Sequence, residues 1–213
     1  VDLLVVDDGS PDGTADLVEE LAAGPHDIHL MRRPGKLGLG TAYIAGFGWA
    51  MERGYRAVIE MDADLSHDPA DVPKLLDALE DADLVIGSRY VPGGRVENWG
   101  RFRKALSAGG NLYARSWMGW PVRDATAGFR AYRTAFLQKI ELATVASEGY
   151  GFQIEMTRRV FRARGRIAEI PITFVERVAG SSKMSRRIVF EALWDVTRWG
   201  ASDRLRRQKT TQL

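Results

Sequence analysis

Short, unbroken apolar runs alternate along the first ninety residues with segments whose apolar positions recur every three or four residues. The runs predict strands at 1–6, 28–31, 57–61 and 84–86. The periodic segments predict helices from Asp12 or Thr14 to about residue 23, over 41–53, and from Asp68-Pro69 through Val72, Leu75, Leu76 and Leu79. Strand and helix taking turns implies a largely parallel sheet with helices on both faces, an α/β fold.

The pattern loosens after Arg89. A Gly/Pro-containing loop is expected over 91–100, a weakly periodic helix over 102–118, a strand over 126–132 and a helix over 153–164. Residues 166–175 read as a strand pair or one long strand, with Pro171 marking an edge or bend. An apolar helix over 188–199 precedes a basic tail at 204–209. No repeat or long linker interrupts the chain. The expected organisation is one α/β domain over 1–185 and a C-terminal helix with basic tail over 186–213.

Composition narrows the classes. In 213 residues, 45% hydrophobic and 27% charged content is ordinary globular usage, which excludes a mainly disordered chain. The absence of cysteine excludes disulfides, thiol catalysis and cysteine-bound zinc. No apolar run approaches the roughly 18 residues of a membrane span, and no secretory signal is visible, so the cytosol is the expected compartment. The net charge of +2 hides a division: residues 1–90 hold 7 Lys/Arg against 18 Asp/Glu, residues 91–213 hold 23 against 10. An acidic half suits metal binding, and a basic half suits an anion or a membrane surface.

The chemistry-bearing residues follow the strands. Asp7-Asp8 ends the first and Asp62-Ala63-Asp64 the third, where open α/β sheets bind ligands. In extended backbone, residues two apart point the same way, so Asp62 and Asp64 can face one ion. Few hard oxygen ligands suit Mg²⁺ or Mn²⁺ shared with a diphosphate. Gly35-Lys36-Leu37-Gly38-Leu39-Gly40-Thr41 has the wrong order for a P-loop and reads as a helix-entry turn. The three histidines lack metal spacing, and no serine has a hydrolase context. Arg89, Arg101, Arg103, Lys104, Arg123, Arg130, Arg177 and Lys183 gather around glycine-bearing loops, as an anionic substrate requires. Trp117, Trp120, Trp194 and Trp199 beside these cations fit a membrane-surface contact and a buried core equally well. No nucleic-acid motif is present, and nucleic acid is not an expected partner.

Together these stretches resemble the family-2 glycosyltransferases of the GT-A fold, and within them the polyprenyl-phosphate (dolichol-phosphate) mannose synthases. The carrying residues are Val5 to Thr14, Met61 to His67, Gly87-Ser88-Arg89-Tyr90, Asp124 to Arg130, Gly151 to Met156, and Ile170 to Arg177 with Ser182-Lys183. The resemblance implies a GT-A (Rossmann-like) sheet. It implies inverting transfer of mannose from GDP-mannose to a polyprenyl phosphate. Val5, Asp7, Asp8, Asp62, Ala63, Asp64, Arg89, Gln153, Arg177 and Lys183 would meet the nucleotide sugar. Asp62, Asp64 and Ser66 would meet Mg²⁺ or Mn²⁺, Ser66 standing where some relatives carry glutamine. Arg89, Arg103, Arg130 and Ser182 would meet the acceptor phosphate, and Asp64, Asp124 and Arg89 would carry the chemistry. It also implies a nucleotide-binding strand ahead of the first strand here. On that ground the 213 residues alone are expected to turn over weakly. A lipid acceptor implies peripheral attachment to the cytoplasmic face of a membrane, with an anchoring partner or fused membrane domain. The alternatives are glucose transfer from UDP-glucose and a non-catalytic membrane-associated subunit.

Overall fold

A computed structural model describes residues 1–147, 149–176 and 186–210; Arg177, Ser182 and Lys183 lie outside them. The first half follows the predicted alternation. Strand β1 (Leu3–Asp7) leads to helix α1 (Thr14–Ala22), β2 (Ile28–Arg32), α2 (Leu39–Glu52) and β3 (Ala57–Glu60). A 3₁₀ turn (Pro69–Asp71) opens α3 (Val72–Leu79), and β4 (Leu84–Ser88) follows. Asp12 does organise the start of α1: its carboxylate accepts the Thr14 amide and hydroxyl at 3.1 and 2.6 Å. Asp68 accepts the Ala70 amide at 2.9 Å, satisfying a donor that the 3₁₀ turn leaves open.

In the second half two expectations change, at 91–100 and in the C-terminal tail, and the strand pair expected around Pro171 is found. The loop expected over 91–100 contains strand β5 (Arg95–Glu97), which pairs in parallel with β8 (Thr173–Val175). The segment around Pro171 is two strands in two sheets: β7 (Ile167–Pro171) beside β4, then β8 beside β5. Between them Ile172 donates to the Ser88 carbonyl and accepts from the Arg95 amide. The C-terminal tail continues as helix, because α7 spans Arg186–Thr210. The remaining elements are α4 (Arg101–Met118), β6 (Arg130–Arg133), the short α5 (Thr134–Leu137) and α6 (Tyr150–Arg162).

The sheets are mixed. β1 and β2 pair in parallel, and a four-stranded sheet runs β3-β6-β4-β7. In it β6 is antiparallel to both neighbours, while β4 and β7 are parallel. The antiparallel β6 departs from the purely alternating scheme, since it follows α4 and a loop rather than a strand-helix crossover. Strands β3 and β4 therefore point the same way, and the residues after Glu60 and after Ser88 emerge at one edge. The chain enters β6 at that same edge, so Asp124 to Phe129 join them.

Side-chain alternation builds the core. Leu84 and Ile86 enter one apolar cluster with Phe47, Tyr132, Phe152 and Met156. Val85 enters a second on the opposite face with Leu75, Phe129, Ala131 and Ile172. A strand buried on both faces is why β4 reads as a continuous apolar run. Helix α7 is part of this architecture: Val196 and Trp199 belong to the first cluster, and Arg158 of α6 holds Asp203 by two bonds of 2.7 and 2.8 Å.

Candidate functional site

The edge where β3, β4 and the entry to β6 converge carries two polar groups. The first is the aspartate pair after β3. Asp62 and Asp64 are half-buried, and Ala63 between them is exposed. The Tyr43 hydroxyl donates to Asp62 at 3.1 Å, and the Ser66 amide donates to Asp64 at 3.1 Å. Burial, reinforced by Asp62, pushes the Tyr43 hydroxyl well above its ordinary pKa, so it remains a donor. Gly128 faces Asp62 closely: a Cβ there would stand 3.3 Å from a carboxylate oxygen. The loop glycine thus leaves room at the carboxylate that a side chain would fill.

Ser66 is buried, and its hydroxyl has no hydrogen-bond partner among the described residues. His67, also buried, packs against Phe129 and Phe174 at ring-centre distances of 5.1 and 5.4 Å. Burial holds its imidazole below the ordinary histidine range against the opposing pull of Asp62 and Asp64. Arg89 and Asp124 act on it as well, which places His67 between the two polar groups.

The second group is a buried ion pair. Arg89 donates through Nε and one terminal nitrogen to both oxygens of Asp124, each at 2.7 Å, and to Thr126 at 2.9 Å. The Arg89 amide adds a bond of 2.9 Å to the same carboxylate. Asn111 of α4 braces the loop, donating to Thr126 and accepting the Ala125 amide. Glu169 of β7 accepts the amides of Arg123 and Asp124 at 2.8 and 2.9 Å. The rings of Tyr90, Trp99 and Phe174 lie 5.4 to 5.5 Å from the guanidinium. Burial opposes ionisation of Asp124, yet Arg89 outweighs it and holds the carboxyl below the ordinary aspartate range.

This geometry revises several expected roles. Arg89 and Asp124 are at the site, but as each other's partners rather than as an unmatched cation and a lone carboxylate. Arg130 is not an acceptor-phosphate ligand. It is fully buried and spends its donors on the carbonyls of Ala125, Ala127 and Gln153 and on Thr157. Gln153 is buried beside it and, with Tyr132 and Arg130, adjoins the fully buried Glu60. Both residues form the floor of the site, away from a solvent-borne phosphate. Arg103 pairs with Glu176 and lies 4.2 Å from the Trp99 ring centre. At the end of β1, Asp7 accepts the Gly9 and Ser10 amides, and these bonds with the Ser10 hydroxyl hold it below the aspartate range. Asp8 pairs with Arg33 at 3.0 Å, and Val5 is half-buried in the strand.

The structure adds residues the sequence reading did not single out. A cavity of about 480 Å³ adjoins the ion pair, lined by Arg89, Tyr90, Arg95, Lys104, Ala105 and Ala108. Arg95 belongs to the short strand hidden in the expected loop. Tyr43 gives no signal in an apolar helix, and Glu60 reads as one more charge before the aspartates. The spacing of Glu60 from Asp62 was the available clue: Glu60 closes β3, and Asp62 follows two residues later, close enough that its charge acts on Glu60.

Two carboxylates at a strand end, a glycine clearing space beside one, and a buried unpartnered hydroxyl are a hard-oxygen donor set that fits Mg²⁺ or Mn²⁺ with diphosphate oxygens completing the shell. Ser66 is the weakest of the three, being uncharged and buried. Asp62 and Asp64 would hold the ion.

Comparison with known proteins gives the following. Residues 1–141 match the family model "Glycosyl transferase family 2". The undecaprenyl-phosphate mannosyltransferase of Micrococcus luteus is 55% identical over 203 residues, covering 95% of this chain and 84% of that protein. The polyprenol monophosphomannose synthase of Mycolicibacterium smegmatis is 52% identical over 211 residues, covering 98% and 80%. Among solved structures, glucosyl-3-phosphoglycerate synthase of Mycobacterium tuberculosis, in complex with phosphoglyceric acid, superposes with a TM-score of 0.65 at 20% identity, over 92% of this chain and 69% of that one. Another crystal structure of that enzyme, holding Mn²⁺, UDP-glucose and phosphoglyceric acid, gives a TM-score of 0.63. At that identity the likeness concerns the fold, a GT-A Rossmann-like α/β architecture.

Proposed function

The chain belongs to glycosyl transferase family 2 and is a glycosyltransferase; from that premise we propose that it transfers mannose from GDP-mannose to a polyprenyl phosphate, with inversion at the anomeric carbon. The observation that carries the proposal is the adjacency of two sites of opposite character. A carboxylate pair suited to a metal–diphosphate stands at the same edge as an open groove bordered by Arg89, Arg95 and Lys104, cations that a phosphate monoester would meet. The two relatives above 50% identity, both named for polyprenyl-phosphate mannose transfer, support the same acceptor and sugar.

The division of labour follows from charge. Mg²⁺ or Mn²⁺, when bound by Asp62 and Asp64, supplies neutralisation of the nucleotide diphosphate as it departs. We assign the nucleotide to Asp7 and Asp8 at the end of β1 and to Ala63 between the two aspartates, the residues that the family resemblance implies. On the other side Lys104 and Arg95 attract the acceptor phosphate, while Asp124 fixes the plane of Arg89 in the cavity wall. The acceptor needs no strong base, because its second ionisation, at about pH 6, is complete near neutrality. An acceptor oxygen forms the new bond to the anomeric carbon as the bond to the nucleotide diphosphate breaks. The protein's task is alignment and electrostatic stabilisation. Attachment to a membrane surface, through this chain or an anchoring partner, belongs to the same reading: the acceptor is a membrane lipid, and no helix among the described residues is long and apolar enough to cross a bilayer.

The test is transfer of radiolabelled mannose from GDP-mannose into an organic-extractable product, with a short polyprenyl phosphate and Mg²⁺ or Mn²⁺. Metal-dependent product in the wild type, reduced by about a hundredfold or more in Asp64→Ala, is the expected result. Equal product with and without the aspartate removes the proposed metal–diphosphate site.

A further inference from the structure

Tyr43 lies in α2 on the row that enters the core, with buried Phe47 and Ala50 one and two turns further on. Its ring stacks on Phe152 of α6 at a ring-centre distance of 5.7 Å and on Phe47 at 6.4 Å. Both phenylalanines are buried. Gly40, one turn earlier in α2, lets Phe152 come in this closely. A Cβ there would stand 2.7 Å from an atom of the Phe152 ring and 3.1 Å from the Ser147 carbonyl oxygen. A ring packed against such neighbours has a fixed orientation, and so has its hydroxyl.

A phenylalanine at position 43 would supply the same apolar packing, so the hydroxyl answers to something else. It donates to Oδ1 of Asp62 at 3.1 Å. The other carboxylate oxygen, Oδ2, is the one nearest to Gly128: it lies 3.3 Å from where a Cβ would stand, against 3.8 Å for Oδ1. The two oxygens of Asp62 therefore have different surroundings. One is tied to the core through α2, and the other stands at the space that the loop glycine keeps open. Asp64 is held in a similar way by a different donor, its Oδ1 accepting the Ser66 amide at 3.1 Å. That amide is present whatever side chain stands at 66, whereas the bond to Asp62 depends on one side-chain hydroxyl.

The consequence of losing the hydroxyl follows from hydrogen-bond satisfaction. Oδ1 would be left against an aromatic edge without this donor, which is unfavourable for a carboxylate oxygen. The side chain would turn toward water and carry Oδ2 away from Gly128. The donor itself is dependable: burial, with Asp62 and Glu60 nearby, keeps the hydroxyl protonated well above the ordinary tyrosine range. Groups that orient a carboxylate ligand in this way typically change metal affinity or activity by about ten- to a hundredfold when removed.

We infer that Tyr43 is a positioning residue of the transfer site: by holding one oxygen of Asp62 it keeps the other turned to the space at Gly128, where a divalent cation with its diphosphate would bind. The inference rests on the metal–diphosphate reading of Asp62 and Asp64 given above and adds the residue that sets the orientation of the carboxylate.

The test is Mn²⁺ binding to the full chain in the presence of GDP, followed by loss of the free-ion signal in electron paramagnetic resonance. The proteins compared are the wild type, Tyr43→Phe, Asp62→Asn and a control, Tyr113→Phe. Tyr43→Phe removes one oxygen atom and keeps both ring stacks. Tyr113→Phe removes a hydroxyl that shares a hydrogen bond of 2.6 Å with Thr197, between α4 and α7. Circular dichroism melts establish that each variant folds. The expected result is a dissociation constant for Mn²⁺ that rises by about tenfold or more in Tyr43→Phe and is unchanged in Tyr113→Phe. In the transfer assay the Mn²⁺ requirement of Tyr43→Phe should rise in step, with most of kcat restored at saturating Mn²⁺. Tyr43→Phe binding Mn²⁺ as the wild type does, whatever its melting point, overturns the inference and leaves Tyr43 a core ring. Equal weakening in Tyr43→Phe and Tyr113→Phe assigns the effect to general loss of packing and also overturns it. A wild type that does not bind Mn²⁺ with GDP, or Asp62→Asn binding as tightly as the wild type, overturns the metal–diphosphate reading itself and this inference with it.

Discussion

At the scale of residues, the site is governed by which charges are matched. The Arg89–Asp124 pair is almost wholly buried, so its attraction is offset by the loss of hydration of both ions. Removing one partner leaves the other without compensation. Asp124→Asn is therefore expected to lower stability by about 3–5 kcal/mol in urea unfolding, with the apolar double replacement Arg89→Met/Asp124→Leu recovering much of it. Glu60 gives a pH signature. Burial pushes its carboxyl up to about 8 against the opposing charge of Arg130. A value raised on folding means that the native state holds a proton that the unfolded chain has released. The contribution is full below the ordinary glutamate range and is lost as pH rises toward about 8. Thermal unfolding between about pH 5 and 8 should show this decline in the wild type and a flatter profile in Glu60→Gln. Sequence made Asp62 and Asp64 legible because strand-end position and two-residue spacing are local properties. It did not reveal that Arg89 belongs to Asp124, since that contact joins the end of β4 to the loop before β6. Nor did it separate Arg130 from the surface cations: only tertiary burial distinguishes an arginine that fastens backbone carbonyls from one that receives substrate.

At the scale of elements, the cavity depends on the turn after β4. Gly94 approaches that strand so closely that a Cβ would stand 2.5 Å from the Ser88 carbonyl oxygen and 2.9 Å from the Arg89 carbonyl carbon. Both are backbone atoms, which cannot rotate aside. Gly94→Ala is expected to lower the unfolding midpoint by the equivalent of about 1–3 kcal/mol and to weaken the acceptor KM by shifting Arg89. An unchanged midpoint would show that the turn yields freely. The regular elements were legible where the apolar period was sustained, as in α3, where Leu75 and Leu79 are buried. Strand β5 was not, because three residues with one apolar side chain carry no period. Its existence depends on β8, far along the chain. The break at Pro171 was visible, but its result, transfer of the chain from one sheet to another, follows from the Ser88 and Arg95 backbone bonds to Ile172. Helix α7 shows the converse: its apolar turns were read correctly, and its basic tail was not expected to extend the helix.

At the scale of the whole molecule, the acidic first half and the basic second half both contribute to one edge of the sheet. The sheet topology brings the ends of β3 and β4 and the entry to β6 to one edge, so carboxylates from the first half and cations from the second share a site. The charge split was legible from composition, whereas the juxtaposition required the antiparallel β6. The central claim is that the aspartate side receives a nucleotide sugar and the cation side receives a phosphate, whose own oxygen is the nucleophile. The measurement that tests it most directly is one transfer assay with two donors and two acceptors: GDP-mannose or UDP-glucose, each with a polyprenyl phosphate or the corresponding polyprenol. The account predicts metal-dependent product from GDP-mannose and the phosphate alone. Product from the polyprenol at a comparable rate, or from UDP-glucose in place of GDP-mannose, would contradict it.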